Sequence, residues 1–122
     1  MAKTILIIDD EPDILIMVEA RLKKAGYNIL KAVNGLEGID MIMSAKPDLI
    51  LLDLAMPGID GYEVCRRSKK DESTKDIPVI LFTASVVTAS AEEKVKELKA
   101  DGFIVKPFDH KELLEKIKSI IG

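Results

Sequence analysis

The sequence predicts an α/β fold in which helices cover both faces of a doubly wound parallel sheet of five strands. Apolar runs rich in β-branched residues recur five times, and stretches with helical spacing of apolar residues separate them. A chain that alternates strand and helix forms right-handed βαβ crossovers, which make the strands parallel. The length of 122 residues suits one compact domain, residues 1–122.

The strands and helices follow from these two kinds of spacing. The predicted strands are, in chain order, Thr4–Ile8, Tyr27–Val33, Leu49–Leu52, Val79–Phe82 and Phe103–Val105. The predicted inward residues of four helices are Ile14, Val18, Leu22 and Ala25, then Ile39, Ile42 and Met43, then Ala91, Val95 and Leu98, then Leu113, Ile117, Ile120 and Ile121. The remaining helix, Tyr62–Lys70, is expected to pack loosely because Ser68 stands where an apolar residue belongs. A flexible loop is expected at Lys69–Asp76.

Four helix starts carry the capping-box spacing, in which a polar N-cap residue is followed three positions later by Glu. The four pairs are Asn34 with Glu37, Asp60 with Glu63, Ser90 with Glu93, and Asp109 with Glu112.

Composition favours protein partners over nucleic acid or a membrane. The formal net charge is -3, from 18 basic and 21 acidic residues, and the basic clusters Arg66–Lys70 and Lys94–Lys99 lack interleaved aromatic residues. No apolar run reaches the roughly 18 residues of a membrane span, and no signal peptide precedes the first strand. The single cysteine, Cys65, suits a reducing compartment, so we expect a cytoplasmic protein. The one histidine, His110, is expected to be an exposed helix residue.

Reactive side chains follow the strands of the predicted sheet. Asp9 and Asp10 come after the first strand, Asp53 after the third, Thr83 after the fourth and Lys106 after the fifth. Because the carboxyl ends of parallel strands meet at one edge of the sheet, we expect these side chains to converge.

Carboxylates gathered at one site repel each other unless a cation lies between them. Mg²⁺ prefers oxygen ligands and uses one or two carboxylates, so Asp10 and Asp53 are candidate direct ligands and Asp9 a ligand through water. A carboxylate is also a nucleophile toward phosphorus, which makes Asp53 a candidate for forming an aspartyl-phosphate. Lys106 can pair with Asp53 before transfer, and Lys106 and Thr83 can contact the phosphoryl oxygens after it.

Four sequence motifs occur in order along the chain. They are Asp9-Asp10-Glu11, the segment Asp53–Gly61 that contains Met56-Pro57-Gly58, the pair Thr83-Ala84, and Gly102–Phe108. Together they resemble the receiver domain of response regulators in two-component signalling, and the resemblance covers Lys3–Ile121.

That resemblance implies a flavodoxin-like fold with strand order 2-1-3-4-5 and a phosphorylation-dependent signalling switch. It implies Asp53 as the phosphoacceptor, the backbone carbonyl of Ala55 as the third protein ligand of Mg²⁺, and Thr83 with Phe103 as switch residues. The implied donor is a sensor histidine kinase or phosphotransfer protein. The resemblance further implies that the chain is not a turnover enzyme for external substrates, although it would slowly hydrolyse its own aspartyl-phosphate.

We further expect readout through the fourth helix, fifth strand and fifth helix to a downstream target that the sequence does not name. A weak homodimer through the same face is left open. With no output domain expected after Gly122, the signal would leave by protein contact or onward phosphotransfer. We also expect a cis bond between Lys106 and Pro107.

The same residues are also compatible with other roles. Asp9 and Asp10 could merely cap the helix that starts near Pro12, and Phe103 could be ordinary core. A haloacid-dehalogenase type of phosphatase needs a second acid where this chain has Ala55. A nucleotide-binding module needs a Gly-rich phosphate loop where this chain has Asp9–Pro12. A receiver-like scaffold that is not phosphorylated would not need Asp10, Asp53, Thr83 and Lys106 together.

Overall fold

Strands form at all five apolar runs and pair in parallel in the order β2-β1-β3-β4-β5. The computed structural model describes residues 2–83 and 88–122, with the backbone course alone for residues 88–91. The strands are β1 (Thr4–Ile8), β2 (Asn28–Ala32), β3 (Leu49–Asp53), β4 (Val79–Thr83) and β5 (Gly102–Val105). The predicted fold class and strand order are confirmed. The bounds of β1 are as predicted, and those of the other strands differ by one residue at one or both ends.

Five helices connect and follow these strands. They are α1 (Pro12–Lys24), α2 (Gly35–Ala45), α3 (Gly61–Lys70), α4 (Thr88–Leu98) and α5 (His110–Ile121). The first and last pack on one face of the sheet, where Val18 and Leu113 join one apolar cluster. The other three pack on the opposite face, where Ile42, Val64 and Leu98 join a second cluster. Both faces are therefore covered, which is why every residue of β3 and β4 is buried.

Alternation along the strands assigns each side chain to one of the two clusters. Ile5, Ile7 and Leu51 face α1 and α5, whereas Leu6, Ile8 and Leu52 face the other three helices. In the sheet, β1 lies between β2 and β3. The chain leaves β1 through α1 toward β2 and leaves β3 through α3 toward β4, so these two connections run in opposite directions and cover opposite faces. A crevice outside the carboxyl ends of these strands is the usual consequence.

The structure corrects the predicted inward face of α1. Leu15 is buried, whereas the predicted residue Ile14 is only partly buried. Ala25 is exposed, because the helix ends at Lys24 and Ala25 forms its C-cap. In α2 and α5 the predicted residues are all at least partly buried, and the side chain of Ala91 in α4 lies outside the described residues.

Three of the four predicted helix caps are present. The side chains of Asn34, Asp60 and Asp109 accept hydrogen bonds from the backbone N–H groups three residues later, at 2.8, 3.1 and 2.7 Å. The fourth prediction, Ser90, is wrong because α4 begins at Thr88, which places Ser90 inside the helix. An N-cap must precede the first helical residue.

The third helix is better packed than its sequence suggests. Ser68 is 1% exposed, and its carbonyl accepts a hydrogen bond from the hydroxyl of Thr74 at 2.8 Å. The ammonium group of Lys69 donates to the carbonyl of Ile77 at 2.8 Å, and Ser73 N–H donates to Asp71. Hydrogen bonds therefore hold much of the polar segment that was expected to be flexible.

Two further sequence expectations concern the backbone and the membrane. The peptide bond between Lys106 and Pro107 is cis, as predicted. None of the helices in the described part of the chain is both long and apolar enough to cross a membrane.

Candidate functional site

Asp53 is the last residue of β3 and lies at the carboxyl edge of the sheet. Its side chain is buried, and its Oδ1 accepts a hydrogen bond from the N–H of Ala55 at 3.1 Å. The chain returns very close to Asp53 at the start of α3, since a Cβ atom on Gly61 would lie 2.3 Å from the carbonyl oxygen of Asp53. A glycine at position 61 is therefore needed to bring α3 against the end of β3.

Three acidic residues after β1 lie beside Asp53. One carboxylate oxygen from each of Asp9, Asp10, Glu11 and Asp53 falls within 4.8 Å of the others. Asp9 is fully buried, and its Oδ1 accepts a hydrogen bond from the N–H of Glu11 at 2.9 Å. Asp10 and Glu11 are exposed. Glu11 is the N-cap residue of α1 but makes no side-chain capping bond, and neither Asp9 nor Asp10 is the cap.

Lys106 follows β5 and reaches into this acidic cluster. Its Nζ lies 2.8 Å from Asp9, 3.3 Å from Glu11 and 3.5 Å from Asp53. Its backbone N–H donates to the carbonyl of Thr83 at 2.7 Å, which fixes the start of the connection to α5. The sequence suggested Asp53 as the partner of Lys106, whereas the shortest contact is with Asp9. No role was predicted for Glu11.

Burial and charge act on these groups in opposite directions. Burial raises the pKa of Asp53 above its ordinary value of 3.8, and the Asp9 carboxylate adds to this, while the Ala55 N–H and Lys106 partly oppose it. For Lys106, burial by itself would lower the pKa, but the carboxylates of Asp9, Asp53 and Glu11 outweigh burial and raise it. Lys106 is therefore a fixed positive charge at neutral pH.

The donor set fits a hard divalent cation. The cluster has four carboxylates, of which three contact its one ammonium group, so it carries an excess of negative charge that a cation would balance. All the available donor atoms are oxygens, which Mg²⁺ prefers over nitrogen or sulfur. Asp9 and Asp53 are held by backbone N–H groups, which leaves their second oxygens toward Lys106 and the cluster.

A cavity of about 310 Å³ opens beside Asp53. It is lined by three predicted site residues besides Asp53, namely Ala55, Thr83 and Lys106, and by Glu11, Leu54, Tyr62, Phe82 and Lys94. Tyr62 and Lys94 were not predicted. In the sequence, Lys94 is recognisable only as part of a basic cluster. Lys94 directly precedes the inward residue Val95, and this spacing gives no signal that it would line the cavity.

Thr83 and Phe103, the predicted switch residues, lie on neighbouring strands. Thr83 is the last residue of β4 and is 6% exposed. Phe103 pairs in register with Leu81, two residues before Thr83, and packs partly buried against the cluster under α2, α3 and α4. Both residues therefore belong to the same side of the sheet. Ala84, which belongs to the predicted Thr83-Ala84 motif, lies outside the described residues.

Comparison with known proteins agrees with this geometry. The family model described as "Response regulator receiver domain" matches residues 5–118. The chain is 43% identical, over 123 residues, to the phosphate regulon transcriptional regulatory protein PhoB of Pseudomonas aeruginosa, covering 99% of this chain and 52% of that protein. The chain thus spans about half the length of the curated relatives that it matches.

Solved structures give the same result. The chemotaxis protein CheY4 of Vibrio cholerae superposes with a TM-score of 0.91 at 28% identity, covering 98% of this chain and 99% of that one. The receiver domain of a sensor histidine kinase from Pseudomonas aeruginosa superposes with a TM-score of 0.90 at 26% identity, covering 100% and 99%. That second structure holds a magnesium ion coordinated in its active-site cleft.

Proposed function

The chain belongs to the response regulator receiver domain family, and from this premise we propose that it is a phosphorylation switch whose phosphoacceptor is Asp53. The observation that carries the proposal is the buried carboxylate of Asp53 at a cavity of about 310 Å³, with Lys106 at 3.5 Å and the Asp9 carboxylate beside it. A carboxylate oxygen of Asp53 attacks the phosphorus of the donor, and the bond between phosphorus and the leaving group breaks with its electron pair going to that group.

The residues that would hold Mg²⁺ are Asp10 and Asp53 directly, Asp9 through water, and the backbone carbonyl of Ala55. Asp9, Asp10 and Asp53 bring carboxylate oxygens within 4.8 Å of one another, and Ala55 follows Asp53 by two residues. Bound Mg²⁺ would supply positive charge against the phosphoryl oxygens. The exposed position of Asp10 leaves one side of the cluster open to solvent, where a partly hydrated ion is accommodated.

Lys106 and Thr83 would bind the phosphoryl group once it is on Asp53. Lys106 is shared among three carboxylates in the unphosphorylated protein, so a phosphoryl oxygen with higher charge competes for it. Thr83 lines the same cavity and offers a hydroxyl donor. The phosphorylated state would therefore differ from the free state in the positions of these two side chains.

We propose that this difference is read on the face formed by α4, β5 and α5. A Thr83 hydroxyl drawn toward the phosphoryl group leaves space on the side of the sheet where Phe103 lies, and Phe103 turns inward to fill it. Close-packed interiors favour two discrete arrangements over a gradual one. The same face is the proposed site for a downstream target and for a weak homodimer.

The proposed donor is a phosphohistidine on a histidine kinase or phosphotransfer protein. One of the similar solved structures is itself the receiver domain of a sensor histidine kinase. The one histidine of this chain, His110, is exposed at the start of α5 and does not line the cavity beside Asp53. These observations support a receiving role for the chain in the transfer.

The test of phosphorylation uses acetyl phosphate, with and without Mg²⁺, and intact mass followed by peptide mapping. We expect one added phosphoryl group on Asp53, none in EDTA, and none in Asp53→Asn. Asp40→Asn changes an exposed aspartate of α2 and serves as the matched control, which should be labelled like the unaltered protein. Stoichiometric labelling of Asp53→Asn would contradict the proposal.

The test of readout compares NMR shifts with and without beryllofluoride and Mg²⁺. We expect shifts in residues 92–98 of α4 and in Phe103–Leu114 as well as around Asp53. Changes confined to the neighbourhood of Asp53 would rule out this face.

A further inference from the structure

The cavity beside Asp53 has a second lysine, Lys94, that no part of the proposed mechanism uses. Lys94 is carried by α4, is partly buried, and lines the cavity together with Asp53, Thr83 and Lys106. Its Nζ lies 5.8 Å from the centre of the Tyr62 ring, which belongs to α3 and also lines the cavity. An ammonium group at that distance from an aromatic face is held by a cation–π interaction. Lys94 and Tyr62, both lining the cavity, thus form a contact between α4 and α3.

The two lysines of the cavity differ in what they contact. Lys106 Nζ lies within 3.5 Å of three carboxylates. By contrast, no carboxylate within the described residues lies at ion-pairing distance from Lys94. The Tyr62 ring under it is anchored, since Tyr62 packs against the apolar cluster beneath α2, α3 and α4. Lys94 is therefore a pre-positioned positive charge whose hydrogen-bond donors are not already used by the acidic cluster.

A phosphoryl donor needs such a charge on its way to Asp53. The four carboxylates of the cluster outnumber its one ammonium group, so a dianionic donor is repelled as it approaches. At a partly buried site, one positive charge a few ångströms from the donor offsets this repulsion. The gain corresponds to a several-fold increase in affinity for the donor. Lys94 lines the cavity and can supply that charge.

We propose that Lys94, seated on Tyr62, is a specificity-determining residue that binds the phosphoryl oxygens of the incoming donor and selects for dianionic donors. The proposal rests on the proposed function of Asp53 as phosphoacceptor and names the residue that recognises the donor. Because Lys94 would bind the donor, loss of its side chain should raise the donor concentration that gives the half-maximal rate. The maximal rate should change much less.

The first test measures phosphorylation rate against donor concentration for Lys94→Gln, Lys94→Arg and Lys96→Gln. Lys96→Gln is the matched control, because Lys96 lies exposed on the same helix and does not line the cavity. For acetyl phosphate, a dianion at neutral pH, Lys94→Gln should raise the half-maximal concentration about fivefold and change the maximal rate less than about twofold. Lys94→Arg should restore the half-maximal concentration of the unaltered protein. For phosphoramidate, which has a lower net charge than acetyl phosphate, Lys94→Gln should raise the half-maximal concentration less. Equal curves for Lys94→Gln and Lys96→Gln would overturn the proposal.

The second test requires no phosphoryl transfer. Inorganic phosphate is titrated into Asp53→Asn without a metal ion, and the Hε–Cε signals of ¹³C-labelled lysines are followed by NMR. We expect the signals of Lys94 to move and those of Lys96 to stay, and an unmoved Lys94 would overturn the proposal. If the unaltered protein is never labelled at Asp53, the proposed function fails, whereas this titration still decides the role of Lys94.

Discussion

Lys106 Nζ lies 2.8 Å from Asp9 Oδ2, although the two residues are 97 positions apart in the chain. The same ammonium group is 3.5 Å from Asp53, so in the unphosphorylated protein Asp9 is its closest partner. Asp9 is fully buried and Lys106 is 15% exposed, which leaves little water to screen the pair. The lysine thus compensates the acidic cluster and is available to a phosphoryl group only if it moves or extends toward Asp53.

Replacing Lys106 by Met should make stability depend more strongly on Mg²⁺. The substitution keeps the apolar stem but leaves Asp9 and Asp53 without their positive partner, so in EDTA we expect a loss of about 2 kcal/mol in the free energy of unfolding. Added Mg²⁺ should recover more stability in Lys106→Met than in the unaltered protein. Urea unfolding in EDTA and in Mg²⁺ measures this, with the exposed Lys111→Met as control. Equal stabilisation by Mg²⁺ in both proteins would contradict the assignment of Lys106 to the cluster.

Replacing Asp53 by Asn should stabilise the metal-free protein at neutral pH. Burial raises the pKa of Asp53 in the folded state above 3.8. The stabilising contribution of the protonated carboxyl is therefore fully present below that pH and is lost as pH rises through the folded pKa. At pH 7.5 in EDTA we expect Asp53→Asn to be more stable by on the order of 1 kcal/mol. The gain should shrink toward pH 4, where a larger fraction of the carboxyl is protonated than at pH 7.5. Urea unfolding at both pH values checks this, and a gain independent of pH would speak against ionisation of Asp53 as the cause.

Replacing Ala55 by Asn should shorten the lifetime of the aspartyl-phosphate. Ala55 is exposed, lines the cavity beside Asp53 and has no polar group to position an attacking water. A carboxamide there could orient that water, so we expect hydrolysis to be faster by at least about threefold. The measurement is the decay of phosphorylated protein by intact mass after removal of the donor. Ala55→Val adds bulk without a polar group, and an equal acceleration in both variants would show that polarity is not the cause.

Replacing Gly61 by Ala should damage the site through the backbone. A Cβ atom there would lie 2.3 Å from the Asp53 carbonyl oxygen and 2.6 Å from Leu54 Cα, and neither is a flexible side chain. We expect a loss of more than about 2 kcal/mol in the free energy of unfolding. Gly102→Ala is the control, since its nearest contact would be the flexible Lys116 side chain at 3.5 Å. Urea unfolding compares the two, and a similar small loss in both would show that α3 can move away from β3 at little cost.

Replacing Ser68 by Ala should stabilise the protein. Ser68 is buried in α3, and its hydroxyl oxygen has no hydrogen-bond partner among the residues that the structure describes. Removing a buried, unpaired hydroxyl should raise the free energy of unfolding by about 1 kcal/mol. Thr74→Val removes a hydroxyl that does donate, to the carbonyl of Ser68, and should have the opposite sign. Thermal unfolding of both variants tests this, and destabilisation by Ser68→Ala would show that the hydroxyl is satisfied.

Much of this protein follows from local pattern. Five apolar runs separated by helical spacing determined a parallel sheet, and caps such as Asn34 and Asp109 marked helix starts because a cap is a contact between residues three positions apart. The approach of Asp53, Asp9 and Lys106 to one another was also predictable, since parallel strands bring their carboxyl ends to one edge.

Only the tertiary structure decided the contacts between elements. Periodicity specifies that a helix has an inward face but not its rotation against the sheet, so it suggested Ile14 where Leu15 is buried, and it gave no warning that Ser68 would be buried. In the same way, Lys94 enters the cavity because of how α4 lies on β5 and α3. Lys106 contacts Asp9 more closely than Asp53, although β3, which ends in Asp53, lies nearer to β5 in the sheet than β1 does. Such contacts depend on packing among residues far apart in the chain, which a one-dimensional pattern does not encode.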